Sequence, residues 1–389
     1  MNVLVVNAGS STLKYQVIDT KSHKVSAKGS CERVCFTGGT FTHAANGSKK
    51  VTENIEFPDH KVAIEVVLKD LEANGVKIEG IGHRIVQGGW YFGDSSLVDE
   101  DVLAKIREVA PLAPLHNNPE ANVIEFCLEQ YPDLPNVTVY DTAFHFNMPE
   151  VAKTYALPKD VCDKLHIRKY GAHGTSYRYI SKKVAEMTNG EARKVVVCHI
   201  GSGASLCAIE DGKCMDTTMG LTPLDGVMMG TRCGSIDPAI VPFIMEKKGL
   251  TPEEMDTLMN KKSGLLGLCG FTDMRDVHKE IENGNKKAEL ALNMLVRSIK
   301  KTLGAYFFLL GGKVDALVFT AGIGENDDIV RAKVCEGLEE LGVRLNLEEN
   351  GTRKPGARTI STPDSKIKVL IIPTNEELQI AQATMEVLA

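Results

Sequence analysis

Two segments 192 residues apart carry one short pattern. NVLVVNAGSSTLKYQVID opens the chain and KVVVCHIGSGASLCAIED opens its second half, with Val3, Val5, Gly9, Ser10 and Asp19 meeting Val195, Val197, Gly201, Ser202 and Asp211. Each copy reads as an apolar strand, a Gly/Ser turn and a second strand. The spacing is far too long for a solenoid repeat, so the chain is expected to consist of two related halves whose clefts face each other. The 389 residues are ample for two or three domains.

The rest of the chain supplies alternating helices and buried strands. Asp59 followed by HKVAIEVVLKDLEANG offers a cap, an apolar face and Gly75 as a stop. Thr251, Pro252 and Glu254 make a helix start with the spacing of a capping box, and residues 286–310 read as one long helix. VDALVFT and IKVLIIP are short unbroken apolar runs, which suit strands covered on both faces. The fold class is therefore α/β. A first domain is expected over 1–147 and a second over 148–376, the second carrying the nucleotide site, with 377–389 returning to the first as a helix.

Charge and cysteine content exclude several classes. Lys and Arg total 45 against 51 Asp and Glu, a net charge of −6, which lacks the basic footprint of a nucleic-acid binder. Any anion site must be local. No apolar run approaches the ~20 residues of a bilayer span, and the N-terminus lacks the basic flank and cleavage site of a secretion signal. The ten cysteines, scattered from Cys31 to Cys335 without a Cys-x-x-Cys pair, read as reduced thiols of a cytoplasmic protein.

Several residues suggest chemistry on anions. The turn Asn7-Ala8-Gly9-Ser10-Ser11-Thr12 with Lys14 offers backbone N–H groups, hydroxyls and an ammonium at a strand end, a set suited to phosphate. A plain hairpin would also explain its glycine and serines. HIGSGAS, residues 199–205, repeats the cradle with Leu206 where the first copy has Lys14. AGIGEN, residues 321–326, reads as a third glycine loop, with Glu325 suited to ribose hydroxyls and repelled by a triphosphate. Arg84 in GHRIVQGG and Arg232 in GTRCG sit in similar glycine settings and could grip an anion from two sides, although surface pairing is the commoner fate of arginine. His173 lies in GAHG, Asp141 follows a strand-like run, and Glu376 and Glu377 follow IIPTN. The two glutamates suit either a helix start or a magnesium site.

Taken in order, NAGSSTLKYQV, GHRIVQGG, APLHNNP, DTAFH, YGAHGTSY, HIGSGAS, GLTPLDGVMMGTRCGSIDP, AGIGEN and PTNEEL resemble the acetokinase family over essentially the whole chain. The resemblance implies duplicated actin-like ATPase (ribonuclease H-like) domains with an interdomain cleft, of the superfamily of actin, Hsp70 and sugar kinases. It implies reversible Mg2+-dependent phosphoryl transfer between ATP and acetate, giving acetyl phosphate and ADP, directly and in line. Mn2+ could substitute for Mg2+. A cytoplasmic homodimer feeding acetyl-CoA biosynthesis is further implied.

Carried over residue by residue, the catalytic group falls on Asp141, Arg84, His173 and Arg232. The acyl pocket falls on Val86, Leu115, His116, Ala172 and Pro223. Nucleotide contacts fall on Ser10, Thr12 and Lys14, on His199, Ile200, Gly201, Ser202 and Gly203, on Asp273, Met274 and Arg275, and on Gly322, Ile323, Gly324, Glu325 and Asn326. The metal falls to Asn7 and Glu376.

The chain departs from the family pattern at Ala172, where a phenylalanine is expected, and at Gln87, Ser202 and Ser235. A missing ring would enlarge the acyl pocket, and apolar pockets discriminate one methylene by only ~1–3 kcal/mol. Propionate or butyrate kinase activity is therefore an alternative at this point. So is a non-catalytic actin-like nucleotide switch, against which the Arg84, Asp141, His173 and Arg232 set stands.

Overall fold

The apolar runs become the middles of two mixed sheets in the computed structural model, which describes residues 1–45 and 47–389. The chain divides into two compact units. Unit 1 comprises Met1–Phe146, Gly174–Ser176 and Asn375–Ala389; unit 2 comprises Asn147–His173 and Tyr177–Thr374.

Unit 1 holds β1 (Asn2–Ala8), β2 (Thr12–Asp19), β3 (Val25–Glu32), β4 (Gly39–Ala45), β5 (Ser48–Ile55), β6 (Gly80–Ile85), β7 (Ser96–Leu97) and β8 (Asn136–Tyr140). Their order is β5-β4-β3-β2-β1-β6-β8-β7, antiparallel from β1 towards β5 and parallel from β1 through β6 to β8. Val3 to Val6 are buried because β1 lies inside this sheet with both faces covered. The helix His60–Ala73 turns Ala63, Ile64, Val67 and Leu71 to the core, and Asp59 caps it by accepting from the Val62 N–H. The C-terminal helix Glu376–Leu388 packs closely on β6. A Cβ on Gly82 would come within 2.4 Å of Thr384 Oγ1, so glycine permits the approach.

Unit 2 holds β9 (Lys194–Ile200), β10 (Ala204–Glu210), β11 (Lys213–Thr217), β12 (Ala316–Thr320), β13 (Arg358–Thr359) and β14 (Lys368–Ile371), ordered β11-β10-β9-β12-β14-β13. Again the first strand, β9, is antiparallel to β10 and parallel to β12, which is parallel to β14. The series β3-β2-β1-β6-β8 and β11-β10-β9-β12-β14 thus repeat one order and one set of directions. Behind the second sheet, the helix Lys286–Leu309 buries Leu292, Leu295, Ile299 and Leu303. The Thr251–Glu254 capping box is present.

Strand register corrects two details of the repeat. Ala8 pairs with Leu13 across the first hairpin, whereas Ile200 pairs with Ala204 across the second, whose turn is one residue shorter. Lys14, opposite Asn7, therefore corresponds to Ser205, opposite His199, and not to Leu206. Asp19, opposite Asn2, corresponds by the same shift to Glu210 and not to Asp211. AGIGEN also differs from expectation, since Ala321–Asn326 is a short helix entered through Ala321 at φ +66°.

Candidate active site

In unit 1 the site is built on strand ends. Arg84, the penultimate residue of β6, directs Nε and Nη2 to Asp141 Oδ2 at 3.2 and 2.6 Å, and Nη1 to Asn7 Oδ1 at 3.4 Å. Glu376 Oε2 lies 3.8 Å from the same Nε. Asp141, just past β8, is 1% exposed, and its second oxygen accepts from Thr175 Oγ1 at 2.8 Å. Both carboxylate oxygens are thus engaged. Burial works against the Arg84 charge, but Asp141 and then Glu376 overcome it and hold the guanidinium above its ordinary value. Burial pushes Glu376 up to about 7, with Arg84 opposing and Asp141 and Glu377 adding to the rise. Three carboxylates therefore face one arginine, a surplus of negative charge.

The first Gly/Ser turn is held from behind. Glu120 Oε2 accepts from the Ala8 N–H at 2.7 Å, and His60 Nε2 lies 2.7 Å from the Gly9 carbonyl. Gly9 N–H closes the turn on the Thr12 carbonyl at 2.8 Å. Lys14 and Ser10 are exposed beside it. Glu120, His83 and His60 were not singled out in the sequence. The one available signal was His83, two positions from Ile81 and next to Arg84 on a strand of unit 1.

In unit 2, His173 adopts a left-handed conformation, φ +58°, at the start of the helix Gly174–Met187. Such a backbone is uncommon for a residue with a Cβ, and it accompanies a constrained ring. Nδ1 of His173 lies 2.8 Å from Ser205 Oγ, which also bonds Tyr177 Oη, and the ring stacks on His199 at 4.1 Å between centroids. The glycine turn lies against this group. A Cβ on Gly203 would sit 3.4 Å from Arg232 Nη1 and 3.6 Å from His173 Nε2. Ser205 and Tyr177 are further members that the sequence did not reveal, because only register places Ser205 opposite His199.

Arg232 is unlike Arg84, contrary to the similar settings read from the sequence. Its Nη1 donates to the Pro223 carbonyl at 3.1 Å and meets Met229 Sδ at 3.6 Å. It has no ion pair among the described residues, and burial lowers its basicity. A guanidinium held this way keeps its charge available for an anion. Ala172 is 4% exposed, within the apolar cluster that includes Met219, Met228 and Met229. Pro223 and Ala172 belong to unit 2, and Val86, Leu115 and His116 to unit 1.

A pocket of about 600 Å3 in unit 2 gathers residues from three of the expected segments. Gly201 and Ser202, Asp273 to Arg275, and Gly322, Ile323 and Asn326 all line it. His199, Ile200, Gly203, Gly324 and Glu325 do not. Glu325 is turned inward, with Oε1 accepting from the Ala321 N–H at 2.8 Å and the Thr374 N–H at 3.2 Å, so the expected ribose contact gives way to a backbone tie. Gly324 is buried, and its carbonyl accepts from Arg331 at 2.9 Å. His278 and Asp327, joined at 2.7 Å, also line the pocket.

Comparison with known proteins identifies the family. Residues 2–382 match the model of the acetokinase family. The acetate kinase of Desulfovibrio desulfuricans is 57% identical, with both chains covered in full. The crystal structure of Porphyromonas gingivalis acetate kinase matches with a TM-score of 0.94 at 40% identity, over 100% of each chain. The structure of a propionate kinase from Francisella tularensis matches with a TM-score of 0.93, also at 40% identity, over 99% of each chain.

Proposed function

Because the chain belongs to the acetokinase family, with its duplicated actin-like fold and its ATP-dependent phosphorylation of acetate, we propose that it transfers the phosphoryl group reversibly and directly in line. The products are acetyl phosphate and ADP. The observation that carries this reading is Arg232, a guanidinium without a carboxylate partner among the described residues, packed with His173 against the Gly201–Gly203 turn.

Phosphoryl transfer asks a protein to position two anions and to neutralise charge on the three equatorial oxygens. Arg232 and His173 supply donors for that purpose, and Arg84 supplies another whose direction Asp141 and Asn7 fix. Asp141 acts as a positioning residue. Its engaged oxygens favour direct transfer over a phospho-aspartate at this position. The pocket lined by Gly201, Asp273, Gly322 and Asn326 suits the nucleoside, and the Asn7–Lys14 turn suits phosphate.

The acidic group in unit 1 fits a divalent cation, since Asn7 Oδ1 and Glu376 offer hard oxygen donors amid surplus negative charge. Mg2+, or Mn2+ in its place, would be held by Glu376 and Asn7 and would lower the charge of the triphosphate. The ten cysteines, free among the described residues, support a cytoplasmic setting. Ile240, Phe243, Leu290 and Met294, exposed on unit 2, support a homodimer.

A second reading, propionate or butyrate kinase activity, rests on Ala172. A coupled assay across acetate, propionate and butyrate, with ATP and with or without Mg2+, tests both. Turnover of acetate that stops on chelation is expected. Turnover that survives chelation contradicts the metal assignment, and kcat/KM higher for butyrate than for acetate moves the substrate to the longer acid.

A further inference from the structure

A smaller pocket, of about 290 Å3, adjoins the first in unit 2 and shares Asn326, Asp328 and Arg353 with it. Four cationic side chains line it, Arg331, Arg353, Lys354 and Arg358, against two carboxylates, Glu325 and Asp328. Glu325 is already tied to backbone N–H groups. Lys354 is offset from outside the pocket by Glu349 at 3.2 Å.

None of the three guanidiniums makes an ion pair among the described residues. Elsewhere Arg84, Arg107, Arg193, Arg275 and Arg344 each meet a carboxylate. Arg331 is 2% exposed and donates only to neutral acceptors, Asn350 Oδ1, the Asn350 carbonyl and the Gly324 carbonyl. Burial, and then repulsion from Arg358, brings it down to about 10. Arg358 donates to the carbonyls of Thr352 and Lys354, while its buried Nε has no acceptor. Buried N–H groups are nearly always satisfied, and unpaired charges taken out of water are costly. Both deficits, at adjacent guanidiniums on one pocket, call for the same missing partner.

We propose that this pocket is a second anion site, taking a tetrahedral oxyanion of the phosphate class between Arg331 and Arg358. Guanidinium forks match such oxygens with paired hydrogen bonds, and a tetrahedral ion can serve two forks at once, which a planar carboxylate does less well. The site is coupled to the nucleotide pocket through Arg331, which holds the Gly324 carbonyl in the helix Ala321–Asn326. An anion that fixes Arg331 fixes that helix, so nucleotide affinity rises with anion binding and, by linkage, anion affinity rises with nucleotide.

The test is calorimetric titration of inorganic phosphate into the full-length protein, with the reaction site filled by Mg2+, a non-hydrolysable ATP analogue and acetate, and chloride of equal ionic strength as blank. One saturable site is expected, weakened at least about tenfold by Arg358→Gln or by Lys354→Gln. Both residues line this pocket and not the nucleotide pocket, and Lys354 is exposed, so its substitution leaves the fold intact. Absence of saturable phosphate binding in the unsubstituted protein, or binding that neither substitution weakens, overturns the proposal.

Discussion

His83 Nδ1 and Glu120 Oε1 lie 2.8 Å apart where neither side chain reaches solvent. The ring's Nε2 faces a second acceptor, Asn136 Oδ1 at 2.8 Å, and the Asn136 amide nitrogen donates to the Leu134 carbonyl, which fixes its orientation. Both ring nitrogens of His83 thus face oxygen atoms, and the ring bridges Glu120 and Asn136. The other oxygen of Glu120 holds Ala8 under the first Gly/Ser turn, so the buried contact between His83 and Glu120 stands behind the turn that the sequence assigns to phosphate.

Truncating Glu120 and replacing it by its amide should differ. Glu120→Ala leaves Ala8 N–H without an acceptor and His83 Nδ1 without its partner, and is expected to cost about 2–5 kcal/mol for the two buried groups. Glu120→Gln should cost far less, because its amide oxygen can still accept from Ala8 while its amide nitrogen still meets His83 Nδ1. Urea unfolding of both variants checks this, and equal losses would contradict the part given to these two hydrogen bonds.

Asp141 positions Arg84, and each of its oxygens has one partner. Asp141→Asn should lower kcat by about a hundredfold or more, with KM for ATP little changed. Thr175→Val removes only a neighbouring hydroxyl and should cost ~1 kcal/mol of stability with a smaller kinetic effect. Steady-state kinetics separates the two; an Asp141→Asn variant of normal kcat contradicts the role.

The strands and caps were legible because they rest on local pattern. Asp59, Thr251 and Glu254 cap where their spacing predicts, and Val3 to Val6 and Ala316 to Thr320 form interior strands. What escaped depended on register or on partners distant in the chain. A turn shorter by one residue aligns Ser205, not Leu206, with Lys14, and no residue-by-residue repeat could reveal it. Arg84 and Arg232 have similar glycine-rich neighbours, yet one meets a buried aspartate 57 positions away and the other a carbonyl. Glu325 looked available because its acceptor role towards Thr374 is set by tertiary packing.

His278 lines the nucleotide pocket and bonds Asp327 at 2.7 Å. That bond holds its imidazolium above the ordinary value of 6.5, against the opposing effect of burial. A raised value in the folded state means stabilisation that is complete below the unfolded value and lost as pH rises through the folded one. His278→Gln should therefore destabilise by up to about 1 kcal/mol near pH ~6 and by less near pH ~9. Unfolding midpoints at the two pH values check the sign, and an equal loss at both would contradict it.

The proposed second reading has Ala172 leave room in the acyl pocket. Restoring a ring with Ala172→Phe should shift the ratio of kcat/KM for acetate over butyrate upwards by about tenfold or more, within the ~1–3 kcal/mol an apolar pocket can discriminate. Competition kinetics with the two acids measures it. An unchanged ratio removes Ala172 from the pocket.

The central claim is that Arg84 and Arg232 act on the migrating phosphoryl group and not on nucleotide binding as such. Turnover of acetate by Arg84→Ala and Arg232→Ala, measured alongside ATP affinity by calorimetry, tests it most directly. The account predicts kcat losses of about a hundredfold to a thousandfold for each variant, with ATP affinity within a few fold of the unsubstituted protein. Near-normal kcat in either variant, or a loss of turnover matched by an equal loss of ATP affinity, would contradict it.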